Sequence, residues 1–354
     1  MLVLAVVLFA ALASNASAAS TPFIAIDLGT LGGPNSAALA VNAGGQVVGY
    51  SRTTSSGVET HAFSWTPAGG MVDLGTLGGS SGTALAMSAS GQVVGYSDVA
   101  GNAASHAFSW TPANGITDLG TLSGSSSTAL AVNASGQVVG SSYTAGDTLT
   151  HAFSWTQASG MTDLGTLGGS ASTAVAVNAS GQAVGSGDTA GDAATHAFSW
   201  TRAGGMIDLG TLGGTDSVAL AVNDRGQVVG YSDLPISHPL APPEYHAVLW
   251  QPISNLGCHA TLAGCDLSGV DLAGAYLPRA NLRGAKLKGA NLARANLHGA
   301  NLSDANLKDA NLASANLTRA SLDGAHVTGV AWSHTLCPDG TNSDANGGTC
   351  VGHL

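Results

Sequence analysis

The chain has 354 residues and a formal net charge of −11; only 9% of its residues are charged, and 50 are glycine. So few Lys, Glu and Arg exclude a fold built on solvent-facing helices, whereas abundant Ala, Gly, Ser, Thr, Val and Asn suit short strands and tight turns. The acid excess lies before residue 260, where Arg52, Arg202 and Arg225 are the sole Lys or Arg, and this excludes nucleic acid as a partner of that half.

Met1 to Ala13 is an apolar run, and Ala16-Ser17-Ala18 after it has a small-x-small pattern. Residues 1–19 therefore read as a secretory signal peptide, although no Lys or Arg precedes the apolar run. That run is shorter than the roughly 20 residues a spanning helix needs. No later segment is long and apolar enough, so no integral membrane segment is expected in the mature chain. The expected location is extracellular, periplasmic or at the cell surface.

Residues 20–252 repeat at about 45 residues. Asp-Leu-Gly begins at Asp27, Asp73, Asp118, Asp163 and Asp208. Gly-Gln-x-Val-Gly begins at Gly45, Gly91, Gly136, Gly181 and Gly226. His-Ala-Phe-Ser-Trp begins at His61, His106, His151 and His196, and returns as His246-Ala-Val-Leu-Trp250. Each copy divides into four short strands, such as His61–Trp65, Met71–Gly75, Ala84–Met87 and Gln92–Tyr96. Alternation by two places His61, Phe63 and Trp65 on one face and Ala62 and Ser64 on the other.

Four strands per unit is the spacing of a β-propeller blade. The chain enters with the Asp-Leu-Gly strand near Phe23–Gly29 and leaves after His246–Trp250. The first strand could then pair with the last three and close a ring of five blades. An open β-solenoid of five units is the competing reading. The repeated polar residues read as framework: a His–Asp hydrogen bond would tie two strands of each unit. Trp65, Trp110, Trp155, Trp200 and Trp250 would fill the space between units, and the Leu-Gly-Gly stretches would make tight turns. These blocks resemble the extracellular HAF repeat family over Phe23–Trp250. The resemblance implies an exported, propeller-like protein and supplies no catalytic set.

From Ala260 the period becomes five. Leu stands at every fifth residue from Leu262 to Leu322, and Val327 closes the series. Ala usually precedes it by two and Asn or Asp by one, as in Ala290-Asn291-Leu292. Period five is neither helix nor strand. Residues 260–330 are similar to the pentapeptide-repeat family, which implies a right-handed quadrilateral β-helix, expected over residues 253–332, with Leu and Ala inside. Fourteen units would make 3.5 coils, about 17 Å of rod at about 4.8 Å per coil. Members that mimic DNA carry acidic surfaces, whereas this array is slightly basic. Arg279, Arg283, Lys286 and Lys288 read as solvated charge, with contact to an anionic polymer or lipid headgroup as the lesser reading.

Four cysteines, Cys258, Cys265, Cys337 and Cys350, all follow residue 257. An even number in an exported chain implies disulfides. Three pairings exist; Cys258–Cys265 and Cys337–Cys350, shortest in sequence, would cap the two ends of the rod. Residues 333–354 form the disulfide-bonded tail. Within it Asn342, Asp344 and Asn346 have the rhythm of a calcium loop, but a count of twelve reaches His353 and not Glu. The segment therefore reads as a turn-rich loop, and no metal or other cofactor is expected.

The fold class expected is thus all-β, a five-bladed propeller followed by a short β-helix. Asp98, Asp147, Asp188 and Asp192 are scattered in loops and do not form the paired carboxylates of a glycoside hydrolase. The function expected is a non-enzymatic structural scaffold or interaction module whose partner is an unknown protein or glycan. A lectin-like propeller is the alternative, and a glycoside hydrolase the less favoured one.

Overall fold

The computed structural model describes residues 24–55, 58–235, 244–256, 258 and 261–353. The expected signal peptide lies outside the described residues. The chain is all-β; among the described residues three short 3₁₀ turns occur, at Ala190–Asp192, Ile253–Leu256 and Ser343–Asn346.

Unit one is an antiparallel meander of β1 (Ser36–Val41), β2 (Val47–Arg52), β3 (Thr60–Thr66) and β4 (Gly70–Gly75). Unit two repeats it as β5 (Gly78–Met87), β6 (Val93–Val99), β7 (Ser105–Thr111) and β8 (Gly115–Asp118). Unit three has β9 (Ser123–Val132), β10 (Val138–Thr144), β11 (Thr150–Thr156) and β12 (Gly160–Gly165). Unit four has β13 (Gly168–Val177), β14 (Ala183–Thr189), β15 (Thr195–Thr201) and β16 (Gly205–Asp208). Unit five has three strands, β17 (Ser217–Val222), β18 (Val228–Asp233) and β19 (Tyr245–Trp250), with no fourth strand among the described residues.

Local chemistry sets the hairpins. In unit three the Asn133 carboxamide oxygen accepts from the amides of Ser135 and Gln137, and Gly136 takes a φ of +83°. The turn thus combines side-chain capping with a left-handed residue. The middle strands pair a glycine against a phenylalanine in register, Gly49 with Phe63 and Gly140 with Phe153. The ring covers backbone that carries no side chain, and Phe63, Phe108, Phe153 and Phe198 are fully buried.

Units two to four each have two apolar faces because each stands between two neighbours. On the front face of unit one, Val48, Ala62 and Leu74 meet Ala84, Val93 and Phe108 on the rear face of unit two. The same set joins units two and three, and three and four. Between four and five the set is Val184 and Ala197 against Ala219 and Val228. Trp110, Trp155, Trp200 and Trp250 lie half-buried against these four clusters.

The ring closure of a five-bladed propeller is not observed. Among the described residues no strand pairing and no core cluster joins the first unit to the last. Neighbouring units approach along their first strands, as β1 and β5 do, and in two cases along their fourth strands, β4 with β8 and β12 with β16. A ring of five would turn about 72° at each interface and splay those outer strands apart.

In the second array, isolated parallel bridges recur every 20 residues, as in Asn281 with Asn301 and Asn301 with Ser321. Four pentapeptides therefore make one coil. Leu282 N–H donates to the Asn301 carbonyl, and Asn301 N–H donates to the Ala280 carbonyl. Leu282 to Leu317 and the Ala residues two positions before Leu287 to Leu317 are buried in one continuous core. Bridges continue to Leu336, so Trp332 and Cys337 occupy the inward places that Leu holds earlier. Two residues after each inward Leu the chain is left-handed, whether the residue is Gly284 (φ +66°), Arg294 (+61°) or Asp304 (+61°).

Candidate functional site

The repeated polar residues are the first candidates. Nδ1 of His61, His151 and His196 lies 2.8 Å from Oδ2 of Asp73, Asp163 and Asp208, and His106 lies 2.9 Å from Asp118. Each pair links the third and fourth strands of one unit. The Asp also accepts from a backbone amide two residues on, as Asp163 does from Gly165 at 2.8 Å. One carboxylate thereby fixes both an inter-strand bond and the turn that leads to the next unit. His246 follows the pattern in sequence, but among the described residues no fourth strand brings an Asp to it.

A second framework pair was not foreseen. Nε2 of Gln46, Gln92, Gln137 and Gln182 donates to the hydroxyl of Ser64, Ser109, Ser154 and Ser199 at 2.8–2.9 Å. The signal was in the sequence: Gln recurs in the Gly-Gln-x-Val-Gly block and Ser in the His-Ala-Phe-Ser-Trp block. Only the fifth copy breaks the pairing, with Leu249 where Ser stood, and there Gln227 bonds Gln251 at 3.1 Å. Asparagine adds a tie between units, since the Nδ2 of Asn133 donates to the carbonyl of Asn178 and that of Asn178 to the carbonyl of Asn223.

A cleft of about 230 Å³ opens where units two and three meet, with Trp155 on one wall and Gln92, Ser109, Asn114 and Gln157 around it. It is smaller than the usual small-molecule pocket of roughly 300–1,000 Å³. It does combine an aromatic face with several amides.

On the rod, two of the four clustered cations sit in exposed ion pairs, Arg283 with Asp304 at 3.3 Å and Lys286 with Asp266 at 3.5 Å. The Asp266 carboxyl is held below its ordinary value, first by the Ser268 side chain and amide and then by Lys286. An amide ladder runs along another edge, Asn311 to Asn291 at 3.1 Å and Asn291 to Asp271 at 2.9 Å.

The cysteines form Cys258–Cys265 and Cys337–Cys350. Ile253 and Leu256 pack on the first end of the rod core beside the first bridge, and the second bridge is buried at the other end. The tail residues with calcium-loop spacing are engaged in the loop itself. Asn342 caps the 3₁₀ turn by accepting from Asp344 N–H. Asp344 accepts from the His334 amide at 2.9 Å and pairs with its ring at 3.3 Å. Asn346 donates to the Thr341 hydroxyl at 2.6 Å. Asp339 accepts from the amide and hydroxyl of Thr341 and lies 2.6 Å from Nδ1 of His353. Its carboxyl is lowered to about 2, first by Thr341 and then by His353.

Comparison with known proteins bears on the rod. Residues 259–292 and 290–329 match the family described as pentapeptide repeats. The second array is made of pentapeptide repeats. This pentapeptide array is similar to Rfr23 from the cyanobacterium Cyanothece 51142, at 43% identity over 19% of this chain and 49% of that one, with a TM-score of 0.17. It is similar to HetL from Nostoc sp. PCC 7120, a protein involved in heterocyst differentiation regulation, at 42% identity over 23% of this chain and 39% of that one, with a TM-score of 0.16. A pentapeptide repeat protein of the Arabidopsis thaliana thylakoid lumen is 34% identical over 20% of this chain and 64% of its own, with a TM-score of 0.12. The chain thus spans about half or less of the first two of these relatives. No curated protein matches it. Pentapeptide repeats are a non-catalytic repeat fold, and two disulfides point to a non-cytosolic environment. Among the described residues no helix is long and apolar enough to cross a membrane.

Proposed function

We propose that this chain is an exported, non-catalytic scaffold, in which a HAF-type repeat array and a pentapeptide rod present repeated surfaces to a partner outside the cytoplasm. One observation carries the reading. In units one to four the recurring residues are used up in holding the unit: His bonds Asp, Gln bonds Ser, and Phe covers Gly. Recurrence in the sequence therefore follows from construction. The apolar run and small-x-small pattern before residue 20 and the two disulfides support export.

Secretion tests the reading. A tagged chain should be recovered outside the cytoplasm, lacking residues 1–19 and with all four cysteines oxidised. Recovery of a reduced, unprocessed cytoplasmic chain would sink it.

The Trp155 cleft favours carbohydrate binding as a second reading, because a sugar takes an aromatic face and flanking amides. A glycan array of the oxidised chain checks it. Specific binding that Trp155→Ala abolishes supports it, and the absence of any bound glycan removes it.

A further inference from the structure

The two ends of the first array are unfinished in complementary ways. On the front face of unit five, Val229 is 45% exposed and Ala247 is exposed, whereas their counterparts Val184 and Ala197 in unit four are fully buried. On the rear face of unit one, Ala38 is exposed and Val41 is 68% exposed, whereas Ala84 in unit two is fully buried. These exposed positions match residues buried at the interface that the chain forms four times, although Phe63, the rear-face counterpart of Phe108, is already buried in unit one.

The backbone is unfinished in the same sense. Among the described residues unit five has no fourth strand, and residues 24–29, which match the inner fourth strands in sequence, form no strand and have no third strand beside them. That orphan segment is set as the inner ones are. Gly29 N–H donates to Asp27 Oδ1 at 2.9 Å, as Gly75 does to Asp73. The Ser36 hydroxyl donates to the Gly29 carbonyl at 2.7 Å, as Ser127 does to Gly120 at 2.6 Å and Ser217 to Gly210 at 2.7 Å. Leu31 N–H donates to Ser51 Oγ at 2.9 Å, as Leu122 does to Ser142. Residues 27–31 therefore hold the pose that connects a preceding unit to its successor, although no unit precedes unit one among the described residues.

We propose that the first array stacks head to tail on a second copy of this chain. The front face of unit five receives the rear face of unit one of the second copy, whose residues 24–29 become the fourth strand beside β19. By the inner register, where Leu119 N–H donates to the Ala107 carbonyl and Leu209 N–H to that of Ala197, Leu28 of the second copy donates to the carbonyl of Ala247. Asp27 of the second copy meets His246, the one repeat histidine without a following Asp-Leu-Gly strand. Leu249, which replaces the inner Ser, fills the space that stays open as the Trp155 cleft between units two and three. The two surfaces differ, so the contact is heterologous, and it propagates into filaments or closes into rings of several copies. The open row of units favours a second copy over closure within one chain, since no pairing brings residues 24–29 to β19 internally.

Sedimentation of the full oxidised chain, from micromolar to near-millimolar concentration, tests this. The wild type should gain mass with concentration. Val229→Lys blocks the front face and Ala38→Lys the rear face; both sites are exposed in the single chain, so both variants should fold with wild-type circular dichroism. Each should stay monomeric alone, and an equimolar mixture should form dimers and nothing larger, because one open front then meets one open rear. A wild type that stays monomeric overturns the proposal, whether its ends close on each other or residues outside the described range cover them. So does either variant that still self-associates, or a mixture that does not pair. Were a variant to misfold, Asp27→Arg and His246→Glu would replace the pair: each should weaken association alone, and an unchanged association would overturn the proposal.

Discussion

Phe153 lies across Gly140: the two are paired in register on neighbouring strands, and a Cβ built on Gly140 would stand 3.0 Å from Cε1 of the ring and 1.9 Å from the Thr128 carbonyl oxygen. The close approach comes from the bulge between β9 and β10, which shifts register at this point. Gly49, Gly95, Gly185 and Gly230 meet the same carbonyl clash at 1.8–1.9 Å. Gly140→Ala should therefore move backbone, not a flexible side chain, and cost about 2–4 kcal/mol. Phe153→Ala should cost about 3–5 kcal/mol through the cavity it leaves. Urea unfolding of both variants checks this, and a Gly140→Ala chain as stable as wild type would show that the bulge relaxes.

The His–Asp pairs predict a graded series at Asp163. Asp163→Asn keeps an oxygen for the Gly165 amide, while Asp163→Ala loses that bond and the His151 bond together. The Asp side chain is 44% exposed, so the ion-pair part is worth little and the turn bond carries most of the loss. Asp163→Ala should lower stability by about 1 kcal/mol and Asp163→Asn by about half of that. Equal losses would assign the whole effect to the ion pair.

Some of this was legible in the sequence and some was not, for identifiable reasons. The rod was open to reading because a period of five has no competitor, and its Leu and Ala are the inward residues. The last coil was harder: Trp332 and Cys337 stand where Leu is expected, so the Leu and Val pattern stops at Val327 although bridges run to Leu336. The four-strand meander could be read from blocks such as His61–Trp65. Whether five meanders close into a ring could not, since closure depends on the angle between packed faces, and those faces use the same Val, Ala and Phe in a ring or in an open row. The Asn133 and Asn178 ties between units were hidden because Asn also suits a hairpin turn, and the sequence gives no sign that its Nδ2 reaches the next unit.

The corners of the rod offer a stabilising change. Arg294, Asp304, Asp309, Ser314 and Arg319 hold φ between +59° and +62°, the conformation that glycine takes at Gly284, Gly289 and Gly299. A left-handed non-glycine costs about 1–2 kcal/mol, and glycine's extra unfolded-state entropy offsets about 0.5–1 of that. Arg294→Gly should therefore raise stability by about 0.5–1 kcal/mol, and Gly289→Val should lower it by more. By contrast, Leu302→Ala in the buried ladder should cost about 2–5 kcal/mol. Thermal unfolding of the three variants orders them, and a loss on Arg294→Gly would show that the Arg side chain contributes packing along the rod.

The tail gives a pH test whose sign is set by Asp339. Its carboxyl is lowered to about 2 in the folded chain by Thr341 and then by His353, against an ordinary value of 3.8. A depressed carboxyl stabilises the fold above its unfolded value and loses that contribution as pH falls through the folded one. The window is therefore from about pH 4 down to about pH 2. Protonation removes the acceptor for the Thr341 amide and hydroxyl, and with them the turn inside the Cys337–Cys350 loop, which separates its cysteines by 13 residues. The bridge keeps the loop attached at low pH and should itself contribute about 2–4 kcal/mol. Hydrogen exchange at the Thr341 amide, read against amides of the rod and corrected for the intrinsic pH dependence, should accelerate across that window in the wild type. In Asp339→Ala, which leaves no side-chain acceptor for that amide, it should be fast at every pH and show no step. Reduction of the bridge should widen the exchange to the whole loop, and a wild-type Thr341 amide with no step down to about pH 2 would show that the loop is held without Asp339.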